Sequence, residues 1–262
     1  MRAAGAPVAR PPAAGRHLGW AYADRAGFLA AAAEFLAEGR AAGERLWLVG
    51  DDLPAVDGVV PMPIHELYPP GTVVDPAGQV ETYAAATEAA LADGYAGLRV
   101  VADATPLVRT AAQLEAFASY EHQVDRYMAD HPFSAMCGYD RRLLDRAAVA
   151  DLACMHARHN VVEVAFRLHG APGTGDVALS GELDVTGSAI LARALDRAAP
   201  PVVDGELVVD ASSLDFVDHR SLLQLAGYAR DRGATAVLRT PLPAAARLVG
   251  LLRVPGIRVE AA

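Results

Sequence analysis

The sequence predicts an α/β protein with two domains. In the first half, near-continuous apolar strands alternate with helices, which is typical of a mostly parallel sheet covered on both faces. The second half has the order β-β-α-β-α-β-α-β within about 100 residues. The chain has 262 residues, of which 53% are apolar and 21% charged, so it can bury the cores of two ordinary domains. We predict a mobile tail at 1–16, a first domain at 17–160 and a second at 161–262.

The elements of the first half follow from apolar spacing and from turn residues. Residues 21–39 place Phe28, Ala32 and Phe35 on one helical face, and Gly39 is the expected end of that helix. Residues 51–79 are rich in Pro, Gly and Asp and predict a loop with one short strand at 59–62. The other predicted elements are strands at 45–50, 98–103 and 133–140, and helices near 80–92, 111–129 and 141–155.

The second half begins with a predicted hairpin. An alternating strand at 161–170 leads through a glycine-rich turn at 170–175 into a second strand at 176–181, and we expect this pair to be antiparallel. The remaining predicted elements are helices at 186–199, 219–232 and 242–252, and strands at 206–212, 234–239 and 257–260.

Composition excludes several functions. The net charge is −9, and all 23 basic residues are arginine. The absence of lysine removes Schiff-base chemistry and the lysine of a phosphate-binding P-loop. An acidic chain without an arginine cluster argues against direct nucleic-acid binding.

The sequence also indicates where the protein acts. Two cysteines are too few for a disulfide framework, no apolar run is long enough to span a membrane, and no secretory signal is evident. We therefore expect a cytoplasmic protein.

The second half carries the motifs of a known family. Gly181, Glu182, Leu183 and Asp184 form a GELD segment after a strand, and the segment 216–218, FVD, precedes a helix. These motifs resemble the STAS domain of anti-sigma factor antagonists. The resemblance implies a serine-kinase anti-sigma factor of the GHKL type as the partner, with other STAS proteins as further partners. From the residues alone, Asp184 and Asp218 are also explained as caps that accept backbone N–H groups.

The phosphorylation switch of this family is altered here. Phosphorylated members have Ser-Ser-Gly after the aspartate, whereas this chain has His219, Arg220 and Ser221. The acceptor hydroxyl is missing, which predicts loss of serine-kinase regulation at this position. Ser212, Ser213 and Ser221 are alternative acceptors, although ordinary turn and helix roles explain them too. The predicted partner-binding and switch residues are Asp184, Asp218, His219, Arg220 and Ser221.

Residues spread over the first half match a second known family. They are His17, Tyr22, Gly43, Glu44, Gly94, Tyr95, Gly97, Leu98, Arg99, Asp103, Tyr120, Glu121, Cys137, Tyr139, Asp140, Arg141 and His156. With these residues the first half resembles the MEDS domain, a sensory module related in fold to RecA-like ATPases. The resemblance implies sensing of a small molecule, such as a hydrocarbon derivative, with regulatory output elsewhere in the chain. The candidate sensory residues are His17, Tyr22, Arg99, Asp103, Glu121, Cys137, Tyr139 and His156.

No complete catalytic set is evident, and we predict that the protein is not an enzyme. Asp51 and Asp52 follow the strand at 45–50, where they would repel phosphate, and the glycine-rich segment 170–176 lacks lysine. Asp218, His219 and Ser221 resemble a catalytic triad in composition, but no Gly-x-Ser-x-Gly elbow is present.

Metal-ligating residue types occur in the first half. His17, Cys137, Cys154, His156 and His159 are of the right type, but roles in the core and at helix ends explain them as well, and we expect no cofactor. An alternative function remains: a small-molecule, metal or haem sensor whose STAS-like half mediates assembly with other STAS proteins.

Overall fold

The protein contains two six-stranded sheets covered by helices, which confirms the predicted α/β class. The computed structural model describes residues 17–171 and 177–262. The predicted tail at 1–16 and most of the predicted turn at 170–175 lie outside the described residues.

The first sheet is parallel throughout, with the strand order β3-β2-β4-β5-β1-β6. Its strands are β1 His17–Tyr22, β2 Arg45–Val49, β3 Val60–Met62, β4 Leu98–Asp103, β5 Phe133–Asp140 and β6 Arg158–His159. The helices of this half are α1 Arg25–Ala41, α2 Ile64–Leu67, α3 Pro76–Ala92, α4 Ala111–Asp130 and α5 Arg146–Ala153, with a 3₁₀ turn at Thr105–Leu107.

Both faces of the first sheet are covered by helices, as its apolar strands require. Val101 and Met136 pack with α1 on one face. Val100 and Cys137, each adjacent in sequence to one of those residues, pack into the core on the opposite face, which includes residues of α3, α4 and α5. Because successive side chains of a strand point to opposite faces, both faces of the sheet are apolar and the domain has three layers, helix, sheet and helix.

The second sheet is mixed. Strands β10, β8, β9, β11 and β12 pair in parallel in that order, and β7 pairs antiparallel with β8, as predicted for the hairpin. The strands are β7 Phe166–Gly170, β8 Val177–Leu183, β9 Glu206–Asp210, β10 Leu214–Val217, β11 Thr235–Arg239 and β12 Ile257–Glu260. The helices are α6 Ser188–Ala198, α7 His219–Arg230 and α8 Pro243–Leu252.

The prediction of a helix over 21–39 was wrong at both ends. Residues 17–22 form strand β1, and the helix starts at Arg25 because the Asp24 side chain caps it by accepting the Gly27 N–H at 2.8 Å. Gly39 lies inside α1 rather than ending it. A Cβ at Gly39 would lie 2.5 Å from Cδ of Arg99, so this glycine allows the arginine to pass close to the helix.

Other boundaries also differ from the predictions. The helix predicted over 141–155 is only α5, because a turn precedes it and Asp145 caps its start. The strand predicted over 161–170 is only β7, and the segment 214–217, for which no element was predicted, forms the edge strand β10. The short elements α2 and β6 were not predicted.

The two halves share a buried polar contact as well as an apolar core. Helix α4 packs against α6 and β7, and one apolar cluster continues through both halves. Arg197 on α6 pairs with Glu115 on α4 at 2.5 Å and with Asp151 on α5 at 3.0 Å. Arg193 also binds Asp151, at 2.6 Å. Within the described ranges, no helix is long and apolar enough to cross a membrane.

We predict that Arg197→Ala destabilises the protein by about 3–5 kcal/mol, because it leaves the buried Asp151 with one cation fewer. The exposed Arg146–Glu163 pair supplies the control: Arg146→Ala should cost about 0–1 kcal/mol. The free energy of unfolding in urea measures both variants. Equal losses would show that the contact between the halves does not depend on Arg197.

Candidate functional site

Five of the predicted sensory residues meet in one buried cluster between the first sheet and the helices α4 and α5. His17 comes from β1, Glu121 from α4, and His156 from the segment after α5. Cys137 and Tyr139 come from β5. Of these side chains, His17, Glu121 and His156 have 0% exposure. We refer to these five residues as the buried cluster.

Strand register and one glycine bring the cluster together. β1 and β5 are parallel neighbours, with His17 opposite Ala135 and Gly19 opposite Cys137. Cys137 and Tyr139 are two residues apart and so face the same side of the sheet. A Cβ on Gly19 would lie 3.0 Å from Cγ of His156, so the missing side chain makes room for the imidazole ring.

His17 is held between two carboxylates. Its Nε2 lies 2.9 Å from Oε2 of Glu121, and its Nδ1 lies 3.0 Å from Oδ1 of Asp125. Burial alone would lower the pKa of His17, but hydrogen bonds with Asp125, Cys137 and Glu121 raise it well above its ordinary value. His17 is therefore an imidazolium that bridges two acids.

The neighbours of Glu121 keep it ionised. The Tyr139 hydroxyl donates to Oε1 at 2.6 Å. Burial by itself would raise the pKa of Glu121, but the two histidines and the Tyr139 hydroxyl lower it to about 2. Burial, reinforced by the charge on Glu121, raises the pKa of Cys137 to about 12, so this residue is a thiol.

His156 has a ring nitrogen with no partner. Its Nδ1 lies 2.9 Å from the Leu152 carbonyl oxygen, which can only accept, so Nδ1 carries the proton. Burial lowers the pKa of His156 to about 4, which leaves the ring neutral. The unprotonated Nε2 lies 3.6 Å from Oε2 of Glu121 and has no hydrogen-bond partner among the described residues. Nε2 of His156 and Oε2 of Glu121 therefore face each other in the interior, and neither atom carries a hydrogen to donate.

Asp125 connects the buried cluster to the second half. While Oδ1 contacts His17, Oδ2 accepts the Gly170 N–H of β7 at 2.6 Å. A Cβ on Gly170 would lie 2.9 Å from the backbone nitrogen of Arg126, so only glycine allows the strand to approach α4 this closely. Beside it, the Leu168 N–H donates to the Cys154 carbonyl at 2.7 Å. Both sides of the cluster are thus bonded to β7.

Tyr22 and Asp103 form a separate group at the carboxyl ends of the parallel strands. The Tyr22 hydroxyl donates to Asp103 at 3.0 Å, and burial raises the pKa of Tyr22. They line a cleft of about 260 Å³ together with Arg109, Asp140 and Arg142. In open α/β sheets, ligands bind at this edge.

The place expected for a phosphate loop needs a correction. The first strand is β1 rather than the strand at 45–50, so such a loop would begin after Tyr22 and not at Asp51 and Asp52. The carboxylate of Asp24 already occupies the helix start there, where it accepts the Gly27 N–H. A phosphate would meet a negative charge instead of free N–H groups.

Several other predicted residues lie apart from the buried cluster. Arg99 binds Glu44 at 2.6 Å and Glu38 at 3.1 Å and stacks on Phe35, so it anchors α1 to the sheet. Cys154 and His159 are absent from the group of metal-ligating atoms found in the described ranges. Cys154 instead donates to the Asp151 carbonyl.

In the second half, both predicted aspartates accept backbone N–H groups, but only Asp218 caps a helix. The Asp218 carboxylate accepts the Ser221 N–H at 2.8 Å at the start of α7. Asp184 accepts the Thr186 N–H at 2.9 Å in the turn before α6, whose N-cap is Gly187. His219 and Arg220 are exposed beside the Asp218 cap. Ser221 is fully buried, and its hydroxyl has no hydrogen-bond partner within residues 17–171 and 177–262, a position that does not favour phosphorylation. Ser212 and Ser213 are exposed in the turn after β9.

Sequence reasoning missed Asp125 and Gly170. The signal for Asp125 was present, since it follows Glu121 by four residues on one helix and so lies on the same face. Gly170 was assigned only to the end of a strand and the start of the hairpin turn, because its approach to α4 is a tertiary contact.

Comparison with protein families gives the class of the first half, a sensory domain of regulatory proteins. The matching family model is MEDS, the MEthanogen/methylotroph, DcmR Sensory domain, and it covers residues 16–157. The match spans more than half of the chain, which therefore belongs to the MEDS family. No curated protein matches the sequence.

We predict that Gly170→Ala destabilises the protein by about 1–3 kcal/mol, because the added methyl group forces β7 away from α4. Gly250 in α8 is the matched control: nothing lies within 4 Å of a Cβ there, so Gly250→Ala should stabilise the helix by about 0.5–1 kcal/mol. Urea unfolding compares the two. A neutral Gly170→Ala would contradict the close approach.

Proposed function

We propose that the protein is an anti-sigma factor antagonist with a built-in sensory domain. In this proposal, the second half is a STAS-like domain that binds a GHKL-type kinase acting as an anti-sigma factor in the cytoplasm, and so frees a sigma factor for transcription. The MEDS domain supplies the input. The observation that carries the proposal is the exposed surface around the start of α7.

This surface combines apolar side chains with a mixed-charge rim. Phe216 on β10 is 49% exposed, Leu223 on α7 is 49% exposed, and Val185 after β8 is 54% exposed. Phe216 lies opposite Glu182 in the strand register, and His219 follows two residues after β10. Among the strands that the structure describes, β10 pairs only with β8, and an edge strand of this kind favours contact with another chain.

The small net charge of the second half favours recognition of a partner by shape and local contacts. The second half has 10 arginines against 12 acidic residues, whereas residues 1–160 have 13 against 20. A nearly neutral partner-binding domain lacks a strong net field for steering, so affinity would come from the apolar centre of the surface.

The altered switch favours a partner interaction that serine phosphorylation does not turn off. His219 replaces the acceptor that the family resemblance implies, and the hydroxyl of Ser221 is buried. Control would then come from the sensory domain. Asp125 supplies a physical connection, since one oxygen contacts the buried cluster and the other holds β7.

A second candidate function is a sensor whose STAS-like half only mediates assembly with other STAS proteins. The buried cluster favours sensing of a small ligand or metal, and the free edge of β10 suits self-association as well as it suits a kinase. Native mass spectrometry separates the two, because stoichiometric self-assembly without kinase binding supports the second candidate.

We predict that Phe216→Arg weakens binding to a cognate GHKL-type anti-sigma factor by about 30-fold or more, as expected for an apolar side chain at the centre of an interface. Leu251→Arg on α8 is the control: Leu251 is 81% exposed and lies outside this surface, so affinity should not change. Binding is measured with each such kinase of the source organism, with ATP, with ADP and without nucleotide. If no complex forms in any condition, the antagonist function is wrong.

A further inference from the structure

The strongest unexplained feature is the chemistry of the buried cluster. Its donor atoms belong to His17, Glu121, Cys137 and His156, a mixed set of imidazole, carboxylate and thiol. These four atoms all lie within 4.8 Å of one another. A group of this composition, enclosed by the core, needs a reason beyond packing, since buried polar groups destabilise a fold unless they are satisfied.

We propose that these four side chains form a binding site for a divalent transition metal, best suited to Zn²⁺. The inference rests on the geometry of the MEDS domain alone. It holds whether or not the second half binds an anti-sigma factor.

The spacing suits tetrahedral coordination after a small contraction. Nitrogen, oxygen and sulfur ligands bind Zn²⁺ at about 2.0–2.3 Å, which places neighbouring ligand atoms about 3.3–3.8 Å apart. Nε2 of His156 already lies 3.6 Å from Oε2 of Glu121. No two of the four atoms are more than 4.8 Å apart, so the widest separation has to close by at most about 1 Å, and the 2.9 Å contact between His17 and Glu121 has to open.

The unpartnered nitrogen of His156 independently points to an ion. Its Nε2 carries a lone pair, is fully buried, and faces the Glu121 carboxylate without a hydrogen between them. Such a pair is unfavourable by itself, because two acceptors repel in a low-dielectric interior. A cation between them satisfies both.

The surroundings of the four ligands match those of known metal sites. A metal-ligating histidine usually donates its other ring N–H to a carboxylate or a backbone carbonyl, which fixes the ring. Here Asp125 contacts Nδ1 of His17, and the Leu152 carbonyl accepts from Nδ1 of His156. The Tyr139 hydroxyl holds the other oxygen of Glu121. Each of these three contacts uses an atom other than the proposed ligand atom, so Nε2 of His17, Nε2 of His156 and Oε2 of Glu121 can face the metal.

The charges also balance. Binding of a divalent ion replaces one proton on Nε2 of His17 and one on the Cys137 sulfur. Those two protons leave to solvent, so the net charge of the interior stays the same.

The ligand types select the ion. Thiolate and imidazole favour Zn²⁺ and related transition metals over Mg²⁺ and Ca²⁺, which prefer oxygen ligands. Four protein ligands without an open position are typical of a structural or regulatory site rather than a catalytic one. Because Asp125 orients His17 and also holds Gly170, loading of this site would be communicated to β7.

The test begins with the full chain purified without a polyhistidine tag. Elemental analysis should find about one Zn²⁺ per chain, or the metal-free protein should take up one equivalent of Zn²⁺ or Co²⁺. The Co²⁺ form should show the visible bands of a tetrahedral site together with thiolate-to-cobalt charge transfer in the near ultraviolet. Asp125→Asn should weaken Co²⁺ binding by about 10–100-fold, as for other orienting residues around metals.

The two cysteines provide a matched control. Cys137→Ser should abolish the thiolate charge-transfer band, whereas Cys154→Ser should keep it, although both cysteines are buried. Circular dichroism checks that each variant is folded, and His156→Gln supplies a second loss of binding if Cys137→Ser does not fold. The proposal is overturned if the folded wild-type chain binds no Zn²⁺ or Co²⁺, or if Co²⁺ binding is unchanged in Cys137→Ser and His156→Gln. Loss of metal without loss of kinase binding would leave the antagonist function standing.

Discussion

The carboxylate of Asp125 is the contact on which the arrangement of the two halves depends. One of its oxygens fixes the ring of His17 at 3.0 Å, and the other accepts the Gly170 N–H at 2.6 Å. A buried carboxylate is unfavourable unless several donors satisfy it, so neither contact can be lost without cost to the other. The Asp125 carboxylate therefore stabilises both the buried cluster and β7, the first strand of the second half.

Packing around this carboxylate makes the connection stiff. Gly170 brings β7 against the backbone of α4, and the Leu168 N–H bonds to the Cys154 carbonyl just before His156. Near the start of α4, Glu115 pairs with Arg197 and connects the same helix to α6. A change in the position of α4 relative to the first sheet thus reaches both β7 and α6, and β8, which pairs with β7, leads into the GELD segment.

How far the sequence predicted this fold depended on local pattern. The long periodic helix α4, with Phe117, Val124 and Met128 in the core, was predicted within one residue of its bounds. β1 was missed because its six residues run almost directly into a helix, and the helix predicted over 21–39 included its last two residues. β10 was missed because it has only four residues, of which Asp215 and Phe216 are exposed, in a segment rich in turn formers.

The candidate site shows the same limit. Resemblance to the MEDS family named His17, Glu121, Cys137, Tyr139 and His156, but nothing in their spacing showed that they meet, since they come from separate elements. The metal set considered from residue types alone included Cys154 and His159 and omitted Glu121. Orientation of rings and carboxylates is decided by tertiary contacts, such as the room that Gly19 gives to His156.

Amide exchange at Gly170 tests the shared carboxylate most directly. In His17→Gln, the neutral amide has no donor at the position of Nδ1 and cannot keep the charged contact with Asp125, so we expect NMR-detected exchange at Gly170 and Leu168 to become faster than in the wild type. The Val237 amide in β11, in the interior of the second sheet, should be unaffected and reports on global stability. Unchanged exchange at Gly170 in a folded His17→Gln variant would contradict the coupling between the buried cluster and the second half.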